Sequence, residues 1–225
     1  AVTAFTSEAL DKLNIQDIAE LGPQVPNMTV YAARGSNTTL TAFIRGVGQP
    51  DPLWGVDPGV GIYLDDVYIA RPQGALLDVF DVERIEVLRG PQGTLYGKNT
   101  IGGAVKYISR GLPQETSGFA SVTIGNYNQV DVKAAIGGEI GGKDSGLRGR
   151  VAVARLTRDG FGEVVNTGSD VSDKDITAVR AQLGAFSHED FDVQFALDWM
   201  DDQSGMRGGK LLAPNTNALV NILFP

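Results

Sequence analysis

Residues 82–110 read VERIEVLRGPQGTLYGKNTIGGAVKYISR. Two β-type runs, residues 84–88 and 105–109, flank a segment that is rich in glycine. Glycine permits left-handed backbone and close chain approach that a side chain would forbid, so we predict a structural role for the glycines here. These glycines are Gly90, Gly93, Gly97, Gly102 and Gly103.

Two segments of the chain partly match nucleotide-binding motifs, and neither match is complete. Residues 90–99 resemble a Walker A loop, but Gln92 stands where its first glycine must be and Asn99 replaces the hydroxyl residue that holds magnesium. Residues 46–51 begin like a dinucleotide fingerprint, but Asp51 takes the third glycine position. We therefore predict that the protein is not an enzyme.

Composition excludes several further classes. The net charge is -8, which would repel a nucleic acid, and we expect no nucleic-acid partner. The chain has no cysteine and one histidine, His188, so we predict no metal site and no cofactor. No apolar run reaches the roughly 18 residues that a membrane-spanning helix requires.

Residues 6–21 predict two short helices. Thr6 or Ser7 can cap the first helix, while Asn14, with Asp17 three residues on, can cap the second from residue 15 onward. Short β-type runs, among them residues 43–45 and 60–64, then alternate with loops rich in Gly and Pro as far as residue 110. This part of the chain is predicted to be a compact α+β region.

After residue 113 the chain shows longer segments with period-two alternation, which is typical of half-buried strands. Residues 147–158 sort poorly because their arginines fall on both faces. The five predicted strands are residues 117–125, 129–136, 147–158, 175–186 and 191–199.

Alternation alone is equally typical of a soluble β-sandwich. Strands of about ten residues, with apolar side chains opposed by charged ones, favour a transmembrane barrel instead. The long connections, residues 161–174 and those after residue 201, fall on one side of such a sheet, which is predicted to face the cell exterior.

Residues 82–110 resemble the hallmark of the plug domain of TonB-dependent outer-membrane receptors. Residues 43–48 and 60–68 resemble the "IRG" and "YxDGV" segments of the same family, in the expected order. Two residues depart from the pattern, since Asp66 stands where Gly is common and Lys106 where Asn is common.

The resemblance implies an α+β plug domain in residues 1–112, followed in residues 113–225 by the first antiparallel strands of a transmembrane β-barrel. The family's barrel has about 22 strands, which need roughly 220 residues at about ten per strand. Residues 113–225 are too few, so the sequence is predicted to be a fragment.

For function, the resemblance implies TonB-dependent import of a scarce nutrient across the bacterial outer membrane, with the plug gating the barrel. The expected substrates are small molecules: a ferric siderophore or other metal chelate, or a carbohydrate or aromatic compound. TonB would pair with a segment preceding Ala1, and outer-membrane lipid would surround the barrel. A signal-transducing receptor of the same family and a soluble β-rich binding module are the alternatives.

The resemblance also implies site residues. Arg45 and Arg89, each followed by Gly, look like the plug arginines that pair with barrel glutamates, and their partners are expected beyond residue 225. Two loops are predicted to meet the substrate. Their candidate residues are Gln49, Asp51, Trp54 and Asp57 in residues 48–58, and Arg71 and Gln73 in residues 68–74.

Overall fold

The computed structural model describes residues 2–33, 36–50, 55–71, 73–74, 80–142, 145–186 and 192–208. These residues form an α+β unit, termed here the N-terminal region (residues up to 109), and one antiparallel sheet, termed the C-terminal sheet. The predicted boundary after residue 112 falls between the last strand of the first unit and the first strand of the second.

The N-terminal region begins with strand β1 (Val2–Thr6), helix α1 (Ser7–Lys12) and a 3₁₀ helix (Ile18–Gln24). Thr6 caps α1 through its side-chain oxygen, as predicted. The second helix starts three residues later than predicted, because Asp17 accepts hydrogen bonds from the amides of Ala19 and Glu20 and thereby caps it. Asn14 instead lies in a left-handed turn with φ 52°.

Two sheets complete the region. One has the order β1-β7-β8-β5-β6, in which β5 and β8 are parallel, and the other has the order β2-β3-β4. Their elements are β2 (Met28–Ala32), β3 (Leu40–Ile44), β4 (Val47–Gly48), β5 (Val60–Leu64), β6 (Val67–Tyr68), β7 (Val82–Arg89), α2 (Gly93–Tyr96) and β8 (Gly103–Ser109).

One apolar core joins these sheets to the two N-terminal helices. Leu10 and Ile18 from the helices are fully buried, as are Ile44 from β3 and Ile85 from β7. Burial of these side chains supplies the main driving force for folding of the unit. Strand β3 begins three residues before the predicted run of residues 43–45 and ends one residue earlier, at Ile44. Arg45 has φ 53° and begins a turn.

The C-terminal sheet has the strand order β15-β14-β11-β10-β9, all antiparallel. All five predicted strands are confirmed, with ends shifted by up to three residues, and Phe191 lies outside the described residues. A two-stranded hairpin, β12 (Gly162–Glu163) and β13 (Asp170–Val171), lies in the connection between β11 and β14. The sheet strands are β9 (Ser117–Gly125), β10 (Gln129–Glu139), β11 (Leu147–Arg158), β14 (Lys174–Ala185) and β15 (Val193–Asp202).

The two ends of this sheet differ. The connection 159–173 and the residues after 202 leave one end, called here the long-loop end. The other end, called the linker end, receives the chain from the N-terminal region through residues 110–116. No helix in the described residues is long and apolar enough to cross a membrane.

The two faces of the sheet also differ. Strand β11 sorts cleanly, contrary to the prediction: Arg150 is buried in line with Ala152 and Ala154, whereas Val151 and Val153 are exposed. Strands β10 and β14 follow the same rule, whereas β9 and β15 are exposed along almost their whole length on both faces. One face of the sheet therefore contacts the N-terminal region around its inner strands, and the other is an exposed apolar face. The large exposed side chains of that face include Val122, Ile124, Val130, Val132, Ile136, Val151, Val153, Leu183, Phe195, Leu197 and Trp199.

Candidate functional site

The contact between the N-terminal region and the C-terminal sheet begins with a small apolar cluster. Phe80, just before β7, packs against Ala154 and Leu156 of β11 and against Ile176 and Ala178 of β14. The alanines leave room for the ring because a larger side chain would hold the two units apart. This cluster places Asp81, the next residue, directly over the sheet.

Asp81 and Arg150 form a buried ion pair across the contact. Their side chains are 0% and 4% exposed. The Arg150 Nε donates to both carboxylate oxygens, at 3.1 and 2.8 Å, and Nη2 donates a further hydrogen bond. Multidentate guanidinium–carboxylate geometry fixes both position and orientation. The pair therefore fixes the position of the start of β7 over the middle of the C-terminal sheet.

A second arginine of the sheet, Arg180, bonds two carboxylates, one in each unit. Arg180 of β14, also 3% exposed, donates from Nη2 to Asp65 at 3.2 Å and from Nε to Asp198 of β15 at 2.6 Å. Asp65 in turn accepts hydrogen bonds from the amide and the hydroxyl of Ser109, both at 2.8 Å. Arg180 thus joins the β5–β6 turn to the sheet while also bonding a carboxylate within the sheet.

The β5–β6 turn carries two adjacent aspartates. Asp65 (φ 47°) and Asp66 (φ 66°) are both left-handed, as a two-residue type I′ hairpin turn requires. Asp66 pairs with Lys106 at 2.7 Å, and this hydrogen bond is the main cause that raises the pKa of the Lys106 ammonium. The two residues that depart from the family pattern are therefore bonded to each other.

A cavity of about 540 Å³ lies at the long-loop end, between the N-terminal region and the sheet. Its charged and aromatic lining includes Asp17, Glu20 and Tyr31 on one side and Arg158, Phe161 and Lys174 on the other. The Arg158 guanidinium stacks on Phe161, 4.0 Å from the ring centroid. Burial, and then the charge of Glu20, raise the pKa of the Asp17 carboxyl. The cavity can hold a small polar or aromatic molecule.

The predicted arginines lie in the N-terminal region beside the glycine-rich segment. Arg89 at the end of β7 donates from Nη1 to the Pro26 carbonyl at 3.4 Å, and its Nε is buried without a hydrogen-bond partner in the described residues. The Arg45 Nη1 lies 3.4 Å from the position that a Cβ on Gly90 would take. The Arg45 guanidinium therefore lies beside Gly90, whereas that of Arg89 reaches the Pro26 carbonyl.

The predicted substrate loops contact different segments. Asp57 lies 3.6 Å from Lys98 in an exposed ion pair, while Gln73 forms a β-bridge with Thr39. Arg71 is exposed, and Gln49 is half-buried. None of these four lines the long-loop-end cavity. Asp51 and Trp54 lie outside the described residues.

The five predicted structural glycines divide into three groups. Gly90 (φ 103°) and Gly97 (φ 76°) are left-handed. Gly102 and Gly103 are close-packed, since an added Cβ would lie 2.9 Å from the Val47 carbonyl oxygen and would overlap that of Leu88. Gly93, inside α2, has neither requirement, because nothing lies within 4 Å of its added Cβ.

Sequence reasoning missed the residues that join the two units. Asp81, Arg150 and Arg180 were not singled out, and Asp65 appeared only within the family segment at residues 60–68. The available signal was Arg150, which shares a strand face with Ala152 and Ala154. A charged side chain there requires a partner of opposite sign.

Comparisons with known proteins identify the N-terminal region. The family model described as "TonB-dependent Receptor Plug Domain" matches residues 1–104. The pesticin receptor of Yersinia pestis is 32% identical over 187 residues, which cover 81% of this chain and 26% of that protein. The vitamin B12 transporter BtuB of Vibrio vulnificus is 25% identical over 126 residues, 56% of this chain and 20% of that protein.

The fold is shared with a solved receptor. The crystal structure of the ferric yersiniabactin uptake receptor FyuA from Yersinia pestis superposes with a TM-score of 0.82 at 24% identity, covering 92% of this chain and 32% of that one. The chain spans about a quarter of the length of the pesticin receptor that it matches. Residues 1–104 therefore form a plug domain, and the chain belongs to the family of TonB-dependent outer-membrane receptors.

Proposed function

We propose that the full-length protein imports a scarce nutrient across the outer membrane, driven by TonB, with the plug gating the passage. The carrying observation is the docking of the plug, through the buried Asp81–Arg150 pair and the Asp65–Arg180 pair, onto one face of a sheet whose other face is apolar. Two of the related proteins are named as a ferric yersiniabactin uptake receptor and a ferric citrate transporter. A ferric siderophore or other metal chelate is therefore the first substrate class to test, ahead of carbohydrates and aromatic compounds.

The C-terminal sheet supplies the first strands of the barrel in this proposal. Its strands have 9 to 12 residues, close to the roughly 9–11 that a tilted strand needs to cross the hydrocarbon core. The exposed apolar face would contact lipid. Near the long-loop end, the outward-facing Arg155 pairs with Asp175, as suits the boundary between hydrocarbon and polar headgroups. Closure of the barrel, with about 22 strands in all, is left to the rest of the protein.

Substrate is proposed to arrive at the long-loop end. The cavity there is lined by both units, so a molecule bound in it would contact the plug and the sheet together. The predicted loop residue Gln73 lies next to the cavity lining, because it bridges Thr39 and the following Gly74 amide donates to the carbonyl of Thr38, which lines the cavity. Trp54 and Arg71 remain the residues proposed to stack on a ring and to bind an anionic chelate.

The import proposal predicts energy-dependent uptake by cells that express the full-length protein. Uptake of ⁵⁵Fe is measured with ferric yersiniabactin, ferric citrate and other siderophores, beside growth on single carbon sources. At least one compound should accumulate, and a protonophore or loss of TonB should abolish its accumulation. Trp54→Ala or Arg71→Ala should raise the half-saturating concentration several-fold. Accumulation that persists without TonB would contradict the proposal.

The arginine pair predicts a second effect. The double substitution Arg45→Ala and Arg89→Ala should loosen the plug, because carboxylates that these arginines pair with on the barrel would be left buried without a counter-charge. Cells should become several-fold more sensitive to vancomycin, which is too large to cross an intact outer membrane. Arg84→Ala is the control, because Arg84 lies on the same strand as Arg89 and its ion pairs among the described residues are local, with Glu83 and Glu86. Unchanged sensitivity in the double variant would refute this role.

A further inference from the structure

Two ion pairs join the plug to the C-terminal sheet. They differ in which other bonding partners each side chain retains when the pair is broken. In the described residues, Asp81 is the only carboxylate bonded to Arg150, and both side chains are buried. Separation would leave two desolvated charges without compensation. This pair also lies beside the covalent linker, because the Arg110 amide donates to the Asp81 carbonyl at 2.9 Å. It is the contact least able to open.

The Asp65–Arg180 pair has a replacement on each side. Arg180 stands directly opposite Asp198 in the β14–β15 register and already donates to it, so the guanidinium keeps a carboxylate when Asp65 leaves. Asp65 is 37% exposed and keeps its two hydrogen bonds from Ser109. Because no charge is orphaned, this contact opens at much lower cost than the first.

We propose that Asp81–Arg150 is a permanent anchor of the plug and that Asp65–Arg180 is a releasable latch. When the latch opens, the β5–β6 hairpin moves away from the C-terminal sheet, and Arg180 transfers its Nη2 hydrogen bond from Asp65 to Asp198. The anchor holds the start of β7 in place throughout. In both ion pairs the plug supplies the carboxylate and the C-terminal sheet supplies the guanidinium group. The inference rests on the proposed gating function and assigns the moving and fixed contacts within it.

The first test compares vancomycin sensitivity among variants of the full-length protein, in a host that lacks TonB and with no substrate added. Asp81→Asn should raise sensitivity at least tenfold. Asp65→Asn and Asp198→Asn should each change it less than twofold, because Arg180 keeps one carboxylate. The double variant Asp65→Asn with Asp198→Asn should exceed the sum of the single effects. Equal sensitivity of Asp65→Asn and Asp81→Asn, or a double variant no worse than the singles, would overturn the assignment.

The second test measures hydrogen–deuterium exchange of the purified full-length protein and does not depend on whether Asp81→Asn folds. Amides of residues 64–69 should exchange at least tenfold faster than those of residues 82–88 in the unsubstituted protein. Asp198→Asn should slow exchange in the hairpin several-fold, since it removes the alternative partner of Arg180, and Asp65→Asn should accelerate it. Hairpin exchange that neither substitution changes would overturn the latch. Neither test involves TonB or a substrate. A negative uptake assay would therefore contradict the import proposal without contradicting the assignment of anchor and latch.

Discussion

Gly103→Ala is expected to destabilise the plug strongly. Gly103 opens β8 with φ 148°, a conformation that is open almost only to glycine, and an added Cβ would overlap the Leu88 carbonyl oxygen and lie 2.9 Å from Ile44 Cδ1. Backbone strain and overpacking together should cost about 3 kcal/mol or more in the free energy of unfolding. Urea unfolding of the full-length protein in detergent, and its level in the outer membrane, measure the effect.

Gly93→Ala is the matched control for this substitution. Gly93 belongs to the same glycine-rich segment, but nothing lies within 4 Å of an added Cβ and its φ is not positive. Alanine also has the higher helix propensity, so the free energy of unfolding should change by less than about 1 kcal/mol. A similar decrease in the free energy of unfolding in both variants would mean that no position in the segment tolerates a side chain. That result would contradict the difference in local space between Gly93 and Gly103.

Arg150→Ala is expected to weaken plug docking strongly. The substitution leaves the Asp81 carboxylate buried without its counter-charge, at a cost of about 3–5 kcal/mol. The full-length protein should unfold at a lower urea concentration, and the plug should become accessible to protease before the barrel unfolds. The double variant Asp81→Asn with Arg150→Met should recover part of the loss, because it removes both charges together.

Arg155→Ala serves as the control on the same strand. Arg155 points to the opposite face of β11 and forms an exposed ion pair with Asp175, in which the side chains are 48% and 40% exposed. Loss of such a pair should cost less than about 1 kcal/mol. An Arg155→Ala variant as unstable as Arg150→Ala would mean that inward and outward arginines contribute alike, which would contradict the docking role of Arg150.

Local patterns were sufficient for much of the fold. Period-two alternation located four of the five strands of the C-terminal sheet clearly and the fifth, β11, poorly, while Thr6 was recognised as a helix cap. Both signals arise between residues close in sequence. The second helix was placed too early, since Asn14 was predicted as its cap with Asp17 in support. In the structure Asn14 lies in a left-handed turn with φ 52°, and Asp17 itself is the cap. The motif in residues 82–110 carried the family assignment, which the match over residues 1–104 confirms.

The candidate site depended on contacts between distant residues. Strand β11 was ambiguous in sequence because its arginines occupy both faces, and the position of Asp81 determines that Arg150 faces the plug. Asp65 carries no sequence signal of its ion pair because its partner Arg180 lies 115 residues away. The two predicted substrate loops followed from the family resemblance, yet the long-loop-end cavity is built from other residues.

The sequence by itself therefore determined the family, the strand positions and the apolar face of the C-terminal sheet. Only the tertiary structure decided which charges pair across the plug–sheet contact and which of those pairs has an alternative partner. The physical reason is range: helix caps, turns and strand alternation depend on neighbouring residues, whereas ion pairs between residues 69 and 115 positions apart are set by how two folded units dock.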